Sequence, residues 1–405
     1  MNERFKKILV VIGFIISVFA IGYGLYYTFF KTAAPLPTVL PATEDGGNLP
    51  TSGEAGERPI TTPTTGGGLP PAAEVAGGGR TVTTALTQTA VTSTNASSDG
   101  AGVNFYNSTD GKFYTIDENG NPVALSDEKF PEVESVEWNK DGEKAVLEFP
   151  DGTNIVYDFN DERQVTLPKH WEDFEFSPES DEILAKSIGV DPNNRWLVTT
   201  NDDGSNAVAF QALGENADKV QVAWSPNDQV VAFSDTADPI SGGLDRKFIL
   251  PLGKNSENYK GLTVEGLLFS PLWSPGGKTL LYSVAGDYSD NKPLLWLVDA
   301  TPATMGENRH SLGLNTWVDK CTFSDSKTVY CAVPRNLPSN AGLGRALYLD
   351  YPDTLYKIDL SSSKVTLVAI PEEDIPMENL SVSEDGSILY FINGLDGTLQ
   401  MMKLK

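Results

Sequence analysis

The sequence predicts an all-β fold: a seven-bladed β-propeller preceded by one transmembrane helix and a disordered linker. The first observation is a short turn that recurs seven times, mostly after an apolar or aromatic strand ending. It reads Ser97-Ser98-Asp99-Gly100, Asn139-Lys140-Asp141-Gly142, Ser177-Pro178-Glu179-Ser180, Ser225-Pro226-Asn227-Asp228, Ser274-Pro275-Gly276-Gly277, the shorter Ser324-Asp325-Ser326, and Ser383-Glu384-Asp385-Gly386. Successive starts lie 42, 38, 48, 49, 50 and 59 residues apart. A period of that size with strands between the turns marks a propeller. The second observation is that the last unit holds three strands and then the chain ends. The third is a β-prone run, Val82–Leu86, that stands ahead of the first unit with no other partner.

From the N-terminus, residues 8–30 contain no charged side chain. Such a run is long enough to cross about 30 Å of hydrocarbon as a helix. Arg4, Lys6 and Lys7 precede it, and after Lys31 no base occurs until Arg58. The positive-inside bias then predicts a single-pass protein of the cell membrane, N-terminus cytoplasmic and the rest extracytoplasmic. The run exceeds the h-region of a cleaved signal peptide, so residues 1–31 are read as a cytoplasmic stub and retained anchor. Residues 32–79 are rich in Pro, Gly and Thr and bury too little apolar surface to offset ordering entropy. They are read as a disordered tether, with the propeller over 80–405.

Each unit parses into short strands with period-2 alternation. Unit two has Val136 and Trp138, then Ala145–Phe149, Asn154–Asp158 and Gln164–Leu167. Unit four has Val220–Trp224, Val230–Phe233 and Phe248–Leu250. Unit five ends its first strand at Trp273 and continues with Leu280–Ser283 and Leu294–Asp299. In the turns, Pro presets φ, Gly tolerates the left-handed conformation, and Ser or Asn bonds the backbone two residues on. The aromatic before the turn (Trp138, Phe176, Trp224, Trp273, Phe323) suits packing between blades. In the last unit, Ile388–Ile392 and Thr398–Leu404 lack an outer strand, which Val82–Leu86 would supply, closing the ring.

These turns and strands resemble the WD-like (PD40-type) repeats of TolB-type propellers, in which W-S-P-D-G-K precedes an apolar strand. The resemblance covers roughly residues 80–405, and Trp224-Ser225-Pro226 and Trp273-Ser274-Pro275 carry it most fully. It implies a protein that binds other envelope or cell-surface proteins rather than a catalyst. The anchor and tether depart from a soluble periplasmic TolB, so that particular role is not implied.

The chemistry of the residues points the same way without closing the question. The net charge is −25, from 55 acids and 30 bases, which argues against a nucleic-acid partner. No G-x-S-x-G, P-loop or dinucleotide motif occurs. His170 and His310, placed on loops between blades, have no second ligand near them, so no metal centre, cofactor or catalytic residue is assigned. The segments at 117–121 and 201–206 look faintly like calcium loops but lack the glycine and the closing glutamate, and are read as hairpin turns. The acids are numerous enough to furnish a glycosidase pair. An anchored hydrolase or carbohydrate-active enzyme using surface carboxylates therefore stands as the alternative.

Two local expectations complete the reading. Cys321 and Cys331 face each other across a hairpin if 325–327 form a three-residue loop with 324 opposite 328; a four-residue loop separates them. The connections between second and third strands run long in units three to six, near Ser187–Arg195, Asp235–Arg246, Gly286–Pro293 and Pro334–Asp353. Such loops share one face and are where function is added to a rigid scaffold. The longest carries Arg335, Arg345, Tyr348, Tyr351 and Asp353, a mix suited to partner binding. It is expected to be replaceable over 336–352 by a short Gly-Ser turn at little cost in stability; an idle surface insertion is the other reading.

Overall fold

The computed structural model describes residues 71–97, 102–117, 119–237, 240, 245–255, 257 and 259–405. The apolar run 8–30, the linker up to residue 70 and the centre of the first turn, 98–101, lie outside these residues. Among the described residues no helix is long and apolar enough to cross a membrane.

Seven antiparallel sheets follow one another along the chain, each a blade. Their first strands are Thr92–Ala96, Ser135–Trp138, Trp171–Phe176, Val220–Val222, Leu267–Trp273, Cys321–Asp325 and Met377–Val382. First strands of neighbouring blades lie against one another, the seventh against the first, around a central channel. Second strands read as continuous apolar runs because a blade covers each of their faces. Ala145-Val146-Leu147, Ile183-Leu184-Ala185 and Leu280-Leu281-Tyr282 are all fully buried.

The aromatic at each turn packs on the blade before it. Trp138 meets Phe113 of blade 1 edge-on at 5.4 Å, and its indole donates to the Ser93 carbonyl at 3.1 Å. Trp273 stacks on Phe233 of blade 4, and its indole donates to the Ala223 carbonyl at 3.0 Å. Each such ring contributes about 2–3 kcal/mol of apolar burial. The turn hydroxyls reach further than expected. Ser225 Oγ accepts the Val230 amide at 2.9 Å, Ser274 Oγ that of Thr279 at 3.1 Å, and Ser383 Oγ that of Ile388 at 3.0 Å. One hydroxyl thus ties the far end of the turn to its start. The fourth turn position is left-handed in Gly142, Asp228, Gly277 and Gly386, which explains the run of Gly and Asp there.

Closure comes from the N-terminal side. Thr84–Ala85 pairs antiparallel with Met401 and Gln400 as the outermost strand of blade 7. The order starts earlier than composition suggests. Gly79–Thr81 pairs in parallel with Ala369–Pro371, giving blade 6 a fifth strand, and Val75 bridges to Lys403. Residues 73–79 therefore belong to the folded body and not to the tether: their backbone amides and carbonyls are taken up by sheet edges. Leu86 and Val91 also enter the core between blades 7 and 1 with Phe105, Tyr390 and Leu399.

The hairpin at 321–331 reaches its register by another route than a three-residue loop. Asp325 pairs with Thr328 around a two-residue connection, and a bulge after Phe323 absorbs Ser324. Cys321 still faces Cys331, with Cα atoms 4.0 Å apart, and the two form a disulfide. His310 lies in the outermost strand of blade 5, His310–Ser311, rather than on a loop between blades. Its ring nitrogens contact the Asn308 carbonyl and the Ser363 hydroxyl, both at 2.8 Å.

Deleting residues 79–88 strips the outer strands from blades 6 and 7. A loss of about 3 kcal/mol would lower the Tm of a body this size by roughly 4 °C. A deletion variant that melts with the intact protein would show that the ring does not depend on this segment.

Candidate functional site

The channel is the candidate site, and bulges shape it. The first strands of blades 1, 3, 5 and 7 each slip register near their start, between Thr92 and Asn95, Glu172 and Glu175, Leu267 and Ser270, and Glu378 and Ser381. In each the next residue is left-handed: Ser93 (φ 51°), Asp173 (53°), Leu268 (55°) and Asn379 (48°). Ser, Asp and Asn visit this region at modest cost. For leucine the conformation costs on the order of 1 kcal/mol or more. A bulge re-aims side chains, and these four line the channel. Leu268 is 60% exposed there.

Blades 3 to 5 enclose a channel cavity of about 1150 Å³. Its wall mixes Phe174, Phe269, Leu272 and Trp273 with carboxylates and lysines. Lys186 pairs with Asp173, Lys247 with Asp235, and Lys219 Nζ donates to the Asn216 side-chain oxygen at 3.1 Å. Glu137 and Glu175, from equivalent positions of blades 2 and 3, have no cation partner among the described residues. Glu137 also lines an adjoining cavity of about 460 Å³. Protein surrounds both carboxyls, while part of each side chain faces the void. Burial pushes Glu137 well above the ordinary carboxyl range, reinforced by the charges of Glu175 and Glu148. Burial pushes Glu175 up to about 7, against a hydrogen bond from the Trp224 amide at 2.8 Å.

The loop 335–352 is built differently from a free insertion. It carries two short 3₁₀ turns, Ala341–Leu343 and Arg345–Leu347. Leu337 and Ala341 form a small core with Trp317, on which Tyr348 and Tyr351 pack. The loop docks on blade 5: the Asn340 amide donates to the Asp290 carbonyl at 2.8 Å and the Gly342 amide to that of Asn291 at 2.9 Å. A Cβ at Gly342 would sit 2.6 Å from that of Ala285, so only glycine permits this approach. Replacing 336–352 would remove a core, which overturns the expectation of an inexpensive exchange.

The five residues singled out on this loop do not form one exposed patch. Asp353 is fully buried and pairs with Lys320 at 2.9 Å, while its carboxylate accepts the Met377 amide at 2.7 Å. It is a structural anion, not a contact residue, and burial raises its pKa against the pull of Lys320. Arg345 pairs with Asp319 and with Glu378 (2.9 Å) and lies 5.6 Å from the Trp317 ring. Arg335 pairs with Asp374, and Tyr348 meets Tyr351 edge-on at 5.4 Å. The exposed groups are instead Leu343, Leu347 and Leu349. Leu343 joins Leu268 at the channel cavity.

Asp117 and Asp203 cap their own turns, accepting the amides of Asn119 and Ser205 at 2.9 Å. No group of three or more His, Cys, Asp or Glu that could hold a metal occurs among the described residues.

Fold and channel together define a seven-bladed β-propeller. No protein-family model matches the chain, and no curated protein sequence matches it. Solved structures do. An oligogalacturonate lyase in complex with manganese aligns with TM-score 0.55 at 14% identity, over 80% of this chain and 93% of that one. The oligogalacturonate lyase of Vibrio parahaemolyticus gives 0.55 and 12% over the same shares. The Cps50 (Swd1) propeller domain of Myceliophthora thermophila gives 0.53 and 10%, over 80% of this chain and all of that domain. At such identities the likeness is one of fold.

Glu175 ionises more easily unfolded than folded, so its effect on stability has a definite sign. Its raised folded pKa makes stability fall as pH rises from the unfolded value of about 4.3 toward 7, by at most roughly 3–4 kcal/mol. Glu175→Gln keeps an acceptor for Trp224 and removes the ionisation. It should be more stable than the parent at pH 8 and equal to it at pH 4 by urea denaturation. An equal difference at both pH values would show that Glu175 titrates normally.

Proposed function

We propose that this chain is a membrane-anchored, extracytoplasmic TolB-like propeller that serves as a non-enzymatic protein-binding platform in the cell envelope. The observation that carries this reading is the apolar channel mouth. Leu268 and Leu343, exposed by 60 and 47%, line the channel cavity from the bulged first strand of blade 5 and the docked loop of blade 6, and Leu347, exposed by 76%, follows on the same loop. Exposed apolar side chains grouped at a cavity mouth mark an interaction site more than scattered ones do. The uncharged run 8–30 and the Pro/Gly-rich linker support the anchor and tether, and the repeat turns support the TolB likeness.

A second reading, an anchored hydrolase or carbohydrate-active enzyme, is favoured by one observation. Glu175, with its carboxyl near 7, would suit a general acid beside a second carboxyl. An oligogalacturonate, with a carboxylate on each sugar, is a poor fit because the unpaired charge of this channel is itself negative.

Protease added to intact protoplasts should release the propeller, whereas survival until the membrane is breached would reverse the topology. Leu343→Asp/Leu347→Asp should keep the parent Tm and lose its partners in pull-downs from native envelope. Full capture by that variant would remove the leucine face from the reading.

A further inference from the structure

We propose that the channel binds an organic monocation, an ammonium or guanidinium group on an apolar stem, seated between Glu137 and Glu175 with its stem against the leucines and aromatics of blade 5. This deepens the binding-platform reading and rests on it, since the same mouth is the face assigned to a partner.

Charge and shape lead to that ligand. Two carboxyls from neighbouring blades converge on one cavity, and neither has a cationic partner among the described residues. Of the lysines of the same cavity, Lys186 pairs with Asp173 and Lys247 with Asp235, while Lys219, bonded only to the neutral Asn216 side chain, stands beside Asp218 as its counter-charge. Lys219 offsets Asp218, and Glu148 lies near Glu137, so the excess negative charge of the cavity stays with Glu137 and Glu175. On the other side of Glu137, Asp319 is held by Arg345. Leaving two carboxylates side by side in an enclosed site is unfavourable, and the empty channel relieves this by retaining a proton. A monocation supplies the one positive charge that a singly protonated pair lacks, so cation and retained proton together bring the site to neutrality.

The ligand is monovalent and organic by the same geometry. Among the described residues no three His, Cys, Asp or Glu side chains stand close enough together to form a metal shell. The wall opposite the carboxyls is apolar, with Phe269, Leu272, Trp273 and the exposed Leu268. A hydrated metal ion would leave that wall wet, whereas an alkyl stem covers it. Two sources share this chemistry: a free amine, or a Lys or Arg side chain carried by a partner.

The test is isothermal titration of the full chain, in mild detergent, with n-butylammonium, with 1-butanol as its neutral counterpart, and with the capped peptide Leu-Lys-Leu. Butylammonium is expected to bind, and butanol is not. Glu137→Gln/Glu175→Gln should weaken binding at least tenfold with a Tm no lower than the parent's, and Glu137→Gln alone serves if the double variant does not fold. A peptide that binds tenfold tighter than the amine identifies a partner's side chain as the source; equal affinities identify a free amine. Equal binding of butanol, undiminished binding by the variant that folds, or displacement by calcium or manganese alone would overturn the proposal. If the amine fails while the leucine variant still loses envelope partners, the cation site falls and the platform stands. If the amine binds but that variant keeps its partners, the reverse holds.

Discussion

The structure depends first on how the last sheet is closed. Six blades draw four strands from consecutive residues, but the seventh ends at Leu399–Lys403 and takes its outermost strand from Thr84–Ala85. An open edge there would leave backbone groups unpaired and blade 7 free to part from blade 1. The closure is made twice over. The backbone pairs Thr84 with Met401, and the side chains of Leu86 and Val91 complete the core between the two blades. The parallel pairing of Gly79–Thr81 with blade 6 clamps the entering chain one blade earlier. Any pull on the N-terminal side therefore meets two sheets before it reaches the ring.

A closed ring is also what permits strain at its centre. Four first strands carry a left-handed bulge residue, and at Leu268 no side-chain hydrogen bond compensates for it. Two carboxyls are held where their charged forms are unfavourable. Neither feature helps the fold, and each persists because the surrounding blades over-determine its position. Strain and unfavourable ionisation coincide in one cavity, while the blade interfaces consist of ordinary apolar packing such as Trp273 on Phe233.

What was legible in the sequence follows from range. Turns are local: Ser274, Gly277 and Thr279 interact within six residues, so their spacing revealed all seven blades, and the missing strand was found by counting. The long second-to-third connections were visible as lengths. The bulges were not, because Asp173 and Asn379 look like ordinary polar strand residues and Leu268 looks like core. Glu137 and Glu175 lie one residue before the turn aromatics Trp138 and Phe176, where alternation had already been assigned to packing; only the ring brings them together. Asp353 was misjudged because an acid beside Tyr and Arg in a long loop looks exposed, and its partner Lys320 lies 33 residues away, across the blade. Residues 73–79 were misjudged because composition reports what a segment can bury alone, not which edges it can pair with.

The loop 335–352 joins these threads. Its apolar contacts seat Leu337 and Ala341 against Trp317, its backbone is bonded to blade 5, and Arg345 ties it to Glu378 at the start of blade 7. Glu378 also holds Lys320 at 2.6 Å, and Lys320 holds the buried Asp353 at the loop's end. Breaking one member of such a buried network strands the charge of another, which costs about 3–5 kcal/mol. The loop is therefore as fixed as the blades it joins, and Leu343 is presented at the channel mouth by a scaffold rather than by a mobile arm. A partner that meets this face gives up little entropy in ordering it, so even a small contact can be specific. Leu268 and Leu343 and the carboxyls of Glu137 and Glu175 thus line one cavity whose walls are held in place by the blades and by this loop.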